Sequence, residues 1–98
     1  MLRFEWDRKK DVINQRKHGV AFTTAKNVFY DESRIDIPDE THSISEDRRI
    51  TIGKADKVLF VVYTERKYDI GNTIRLISAR RANEEERRFY YEQPGFSY

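Results

Sequence analysis

The run Val58-Leu59-Phe60-Val61-Val62-Tyr63-Thr64 constrains the fold more than any other stretch of the chain. It is almost continuously apolar and rich in β-branched and aromatic residues, the pattern of a central strand covered on both faces. Such a strand needs neighbours. Arg48-Arg49-Ile50-Thr51-Ile52-Gly53 precedes it through the turn Lys54-Ala55-Asp56-Lys57, and Thr73 to Ala79 follows through Tyr68-Asp69-Ile70-Gly71-Asn72. The alternating segment Arg34-Ile35-Asp36-Ile37, stopped by Pro38, offers a further strand.

Around this sheet the sequence predicts helices. Leu2, Phe4 and Trp6 alternate with Arg3 and Glu5 as a short strand, and Asp7 is placed to cap a helix from Arg8 to about His18, with Gly19 at the left-handed position after it. Lys10, Asn14 and Lys17 fall on one face of that helix, with His18 on its last turn beside them. Thr23 is expected to cap a second short helix with a stripe of Ala25, Val28 and Phe29, entered through Phe22 and ending by Asp31. Asn83 and Glu86 have the spacing of a capping box for a last helix; Glu84 and Glu85 suit its start, Arg87 and Arg88 its end, and Pro94 and Gly95 finish it. The expected fold is α+β: two N-terminal helices, an antiparallel sheet of three to four strands and a C-terminal helix, with the helices largely on one side.

Composition narrows what such a fold could do. The 98 residues suit one domain, 1–98, with any active site on its surface. With 38% hydrophobic and 37% charged residues the chain should fold, and without cysteine it has neither disulfides nor thiolate metal sites. The start shows no signal peptide and no stretch of membrane length, so a cytoplasmic protein is expected. Net charge is only +2, but it is unevenly spread. Arg8, Lys9, Lys10, Arg16 and Lys17 make the first helix basic, and Arg66, Arg75, Arg80, Arg81, Arg87 and Arg88 load the C-terminal third. Between them Asp31, Glu32, Asp36, Asp39, Glu40, Glu46 and Asp47 form an acidic block. The basic parts suit phosphates, and the acidic block would suit a basic partner.

Four strings together resemble the BrnT family of type II toxins: Phe4-Glu5-Trp6-Asp7, Asn14 with Lys17-His18-Gly19-Val20, Val62-Tyr63-Thr64-Glu65-Arg66, and Ile74-Arg75-Leu76-Ile77-Ser78-Ala79-Arg80-Arg81-Ala82. The resemblance implies a RelE-like fold, endoribonuclease activity that inhibits translation, and a BrnA-type antitoxin that blocks the toxin in a hetero-oligomer and binds DNA on its behalf. The tail from Gln93 to Tyr98 lies beyond these strings.

Cutting RNA without a metal requires a base for the 2′-hydroxyl, cations for the charge at phosphorus and an acid for the leaving 5′-oxygen. Arg66, Arg80 and Arg81, at the ends of two adjacent strands, are candidates for phosphate binding and transition-state stabilisation; the alternative is that they are solvated or pair with Glu84–Glu86. Alternation puts Arg80 with Ile74, Leu76 and Ser78, and Arg81 with Arg75, Ile77 and Ala79, so the two face one site only if the strand has ended. Arg75 can bind substrate or equally pair with a carboxylate on a neighbouring strand.

Glu65 is a candidate general base, or else an ion-pair partner of Arg66 or a lysine. His18 can act as acid or base, though a helix C-terminus also accounts for it, and Lys10 and Lys17 are expected to bind substrate beside it. Trp6 and Tyr63 could stack on bases, but core packing is the commoner role, and for Trp6 the favoured one. His42 has no second histidine at ligand spacing, so neither metal nor cofactor is expected. Ser43, Ser45 and Ser78 lack a triad setting, and no glycine-rich loop cradles a nucleotide. Two rivals to the ribonuclease are a silent RelE-like protein that binds nucleic acid or antitoxin, and a small DNA-binding regulator, against which the lack of a helix-turn-helix pairing argues.

Overall fold

The computed structural model describes residues 2–40 and 47–94. The chain runs β1 (Phe4–Glu5), α1 (Arg8–His18), α2 (Phe22–Ala25), a 3-10 helix (Lys26–Tyr30), β2 (Ile35–Pro38), β3 (Arg48–Ala55), β4 (Lys57–Tyr68), β5 (Gly71–Arg81) and α3 (Glu84–Tyr91). Five strands form one sheet in the order β1-β5-β4-β3-β2. The class is α+β as expected, but the layout differs from an antiparallel sheet of three to four strands. β1 pairs in parallel with β5, Phe4 opposite Ile74 and Glu5 opposite Arg75, so the sheet is mixed. Alternation within a segment reports a strand but not a partner some seventy residues away, which is why the pairing escaped the sequence.

Leu59, Val61 and Tyr63 on one face of β4 build the main core with Phe22, Ala25, Val28 and Phe29. Trp6 packs against this core, edge-on to Phe22 at 6.0 Å, and Tyr63 is buried within it, so both serve packing. Gly53 allows the 3-10 helix to lie close on β3, since a Cβ there would stand 2.7 Å from Val28 Cγ1. Among the described residues, the opposite face is covered by a helix at one end, where Tyr90 of α3 packs with Ile52, Val58 and Ala82. The helices are therefore divided between the two faces, and Phe60 and Val62 in the middle of β4 stay half-buried. The apolar run does mark a central strand, but one face of it is left partly open.

α1 is capped as its sequence predicts. The Asp7 carboxylate accepts from the Lys9 and Lys10 N–H groups at 2.8 and 3.1 Å, and Gly19 adopts φ 70°. The helix docks without an apolar stripe: Val12 and Ile13 are exposed and Asn14 is its one buried residue. Asn14 Nδ2 donates to Val20 O and to Ala79 O, both at 2.8 Å, while its Oδ1 accepts from Ala79 N–H at 3.0 Å. One side-chain amide thus acts as a strand partner on the edge of β5 beyond the reach of β1. Thr23 does not cap α2. Ala21 holds the cap position, and the Asp11 carboxylate of α1 accepts from Phe22 N–H at 2.9 Å in its place. The capping box at Asn83 and Glu86 forms as expected, and α3 ends at Tyr91. His42, Ser43, Ser45, Glu46 and Gly95 lie outside the described residues.

Part of the acidic block is used internally. Asp36 accepts from Tyr63 Oη at 2.5 Å and from Arg49 Nε at 3.1 Å; burial, then Asp36, push the Tyr63 hydroxyl up to about 12. Asp31 accepts from the Tyr90 hydroxyl, from Lys54 N–H at 2.7 Å and from Ser33 N–H at 2.9 Å, joining the end of the 3-10 helix to β3 and α3. Burial alone would raise the Asp31 carboxyl, but these three donors outweigh it and hold it below the usual carboxylate range. A carboxyl lowered in the folded state adds stability above its unfolded pKa, and that stability is lost as pH falls through the folded one. Urea titrations should accordingly show stability falling on acidification below about pH 4. Asp31→Ala is expected to cost about 2 kcal/mol at neutral pH and to flatten this fall; a variant as stable as wild type would mean the three donors find other partners.

Candidate active site

The geometry of β5 turns on one extra residue. Val62 lies opposite Ser78 and Tyr63 opposite Leu76, so Ile77 is the unpaired residue of a β-bulge. A bulge shifts the alternation by one, and bulges recur where a strand must re-aim a side chain. Ser78 and Arg80 consequently share the face of Arg75, whereas Leu76, Ala79 and Arg81 lie on the helix-covered face with Ile74. Plain alternation, which cannot register a bulge, places Arg80 with Ile74 and Leu76 instead, but Arg80 and Arg81 do point to opposite faces.

On the open face a row of paired residues crosses four strands: Glu5, Arg75, Thr64 and Arg48. A second row holds Ser78, Val62 and Ile50, and a third Arg80, Phe60 and Ile52. Arg66, opposite Thr73, belongs to the same face. Four arginines from three strands thus flank an apolar floor of Ile50, Val62 and Phe60. They are not a tight cluster. In an antiparallel pair the end of β4 meets the start of β5, so six residues, or about 20 Å, separate the Arg66 level from that of Arg80.

Arg75 and Arg80 are oriented by their neighbours. Arg75 Nη1 binds Glu5 Oε2 at 2.6 Å, and the Tyr68 hydroxyl donates to the same oxygen at 3.1 Å. Burial would raise the Glu5 carboxyl, but Arg75 and Tyr68, aided by the charge of Arg66, hold it low. Arg80 grips Glu86 with both terminal nitrogens at 2.8 and 2.9 Å, and its guanidinium carbon lies 4.0 Å from the centre of the Phe60 ring. Burial would raise Glu86 too; Arg80 and the Asn83 N–H outweigh it. Pairing of Arg80 with the Glu84–Glu86 cluster is therefore real, and it fixes the guanidinium plane at the floor's edge.

α1 forms the rim. Lys10, Ile13, Asn14, Lys17 and His18 line a hollow with Ile77 and Ser78, which also line the adjoining hollow of Arg48, Asp39, Ile50, Phe60 and Val62. The shared helix face predicted for Lys10, Lys17 and Asn14 is present. Of the sequence candidates, Arg66, Arg75 and Arg80 lie on the open face, with Lys10, Lys17 and His18 along its edge. Glu65 and Arg81 do not join them. Glu65 pairs with Ile74 on the other face, and Arg81 sits beside Lys54, Lys57 and Arg87 at the β3–β4 turn.

In the sequence, Arg48 and the floor residues stand out only as parts of strands. The available signal was alternation on β3, where Arg48, Ile50 and Ile52 share a face, but its use requires the register with β4. Among the described residues no helix is long and apolar enough to cross a membrane, and no three metal-ligating side chains gather.

No curated protein matches the chain. A family model does: the one described as the ribonuclease toxin BrnT of type II toxin-antitoxin systems matches residues 6–86 of the 98, over the rim helix α1, strands β2 to β5 and the start of α3. The chain belongs to the BrnT family of type II toxin-antitoxin ribonuclease toxins.

Proposed function

We propose that the open face is the cleavage site of a metal-independent endoribonuclease with a RelE-like fold, which inhibits translation in the cytoplasm. The observation that carries this reading is the meeting of the α1 rim, Lys10, Lys17 and His18, with the arginine-bearing face across Ile77 and Ser78. A single RNA strand lies along the floor, its bases against Phe60 and Val62 and its phosphates toward Arg66, Arg75 and Arg80. His18 takes the 2′-hydroxyl proton, the 2′-oxygen bonds to phosphorus, and the bond from phosphorus to the 5′-oxygen breaks. A 2′,3′-cyclic phosphate and a 5′-hydroxyl result, the latter protonated by the Lys17 ammonium. The arginine forks stabilise the extra charge at phosphorus. Glu65 is the competing base, and its place on the opposite face weighs against it.

A BrnA-type antitoxin inhibits by covering this face in a hetero-oligomer, and DNA is bound only through that complex. The test is incubation of labelled unstructured RNA with the protein in excess EDTA. Wild type should cut it, His18→Ala should slow cutting by about 100-fold or more, and Glu65→Gln should change it little. The reverse order would give the base to Glu65. A binding-only protein is the second reading, favoured by the engagement of Arg75 with Glu5 and of Arg80 with Glu86. RNA bound but never cut would establish it.

A further inference from the structure

We infer that the hollow at the β3–β4 turn is a second phosphate-binding site, which holds the RNA backbone outside the cleavage groove; this rests on the reading of the protein as one that acts on RNA. Four cations from three elements line it: Lys54 and Lys57 from the turn, Arg81 from the end of β5 and Arg87 from α3, with Asp56 as the one carboxylate. Ala55 pairs directly with Lys57 across Asp56, which takes φ 66°, so the tight turn throws both lysines to the same end of the sheet.

The four cations differ in their partners from five arginines elsewhere. Arg75, Arg80, Arg49, Arg34 and Arg88 each pair with a carboxylate. Among the described residues, none of Lys54, Lys57, Arg81 and Arg87 forms such a contact pair, and only the charge of Lys54 acts on a carboxylate outside the hollow, that of Asp31. Like charges gathered in one hollow repel one another, and a bound phosphate oxygen relieves this. Arg87 is already fixed, its Nη1 donating to Ala82 O at 3.0 Å.

Position favours RNA as the occupant. Arg81 follows Arg80 in β5 but on the opposite face, so a chain leaving the floor at Arg80 reaches it by turning round the end of the sheet beside α3. An acidic protein would need an apolar anchor to dock with, and Val58 and Ala82, the aliphatic residues of the lining, are buried.

The test measures binding, so it reports even if the protein cuts nothing. Lys54→Gln, Lys57→Gln and Arg81→Gln are combined in a His18→Ala background, all three being exposed residues whose loss should leave the fold intact, as a thermal melt checks. Anisotropy is followed over a salt series with a twenty-nucleotide and a five-nucleotide RNA. For the longer RNA the slope of log affinity against log salt should become shallower by about two, since each phosphate contact on a single strand contributes roughly 0.7. The five-nucleotide RNA, filling only the groove, should bind as before. An unchanged slope for the longer RNA overturns the site and leaves the hollow to an acidic protein. Equal loss for both lengths also overturns it, because the cations then act only through the general field. Length-dependent binding with no cleavage by the His18-intact protein would instead count against the nuclease reading and leave this site standing.

Discussion

Replacing Asn14 with alanine should cost about 3 kcal/mol of stability, because the buried Ala79 N–H and two carbonyls lose their partners together. For a chain of this size that is a drop of roughly 15 °C in Tm, a large part of a net stability of about 5–10 kcal/mol. The effect exceeds that of an ordinary surface helix residue because no apolar stripe holds α1: Val12 and Ile13 face solvent. Asn14→Asp separates hydrogen bonding from shape. The carboxylate fits the space but meets the Val20 and Ala79 carbonyls with no proton to offer, so its pKa must rise in the folded state. A raised pKa gives stability present below the unfolded value and lost as pH climbs through the folded one. Asn14→Asp should therefore gain relative to wild type on acidification from neutral pH to about 4, while wild type gains nothing. A Tm for Asn14→Ala within a few degrees of wild type would mean that α1 is held by something other than this amide.

Arg80→Ala should lower kcat/KM for RNA by 100- to 1000-fold, roughly the loss that follows removal of one preorganised donor from a transition state. Arg80→Lys should restore little. The Arg80 fork is aligned by two bonds to Glu86 and by stacking on Phe60, and an ammonium reproduces neither. The same geometry limits the stability loss: Arg80 is about a third exposed, at 36%, so solvent screens the ion pair and about 1 kcal/mol is expected. Melts and rates on the same samples separate the two effects. Near-wild-type rates for Arg80→Lys would reduce its role to that of a point charge. Wild-type rates for Arg80→Ala would make the pair with Glu86 purely structural.

What could be read from the sequence was local. Asp7 and Gly19 bound α1, Asn83 and Glu86 open α3, and the apolar run of β4 marks the middle of the sheet, each through contacts within a few residues. What escaped depended on partners distant in sequence. Thr23 is a sound cap by type, yet Asp11 reaches Phe22 from another helix. β1 has a strand pattern, but its parallel pairing with β5 depends on where α1 docks.

The candidate site was legible in residue type more than in arrangement. Arg66, Arg75, Arg80, Lys10, Lys17 and His18 do border one face, but Arg66 and Arg80 stand at opposite ends of it because β4 and β5 run antiparallel. The bulge at Ile77 turns Ser78 and Arg80 to this face, and a single inserted residue leaves no mark in hydrophobic alternation. α3 covers only one end of the sheet's second face, so Phe60 and Val62, expected to be covered, form the floor of the groove.

The most direct test of the open face as the RNA site is an NMR shift map of the isotopically labelled protein with a 2′-O-methyl RNA, which cannot be cut. The largest changes should fall on Val62, Ile77, Ser78 and Arg80, and along the rim on Lys17 and His18. Changes confined to the helix-covered side, at Glu65 and the residues packed on Leu76, with the open face undisturbed, would contradict it.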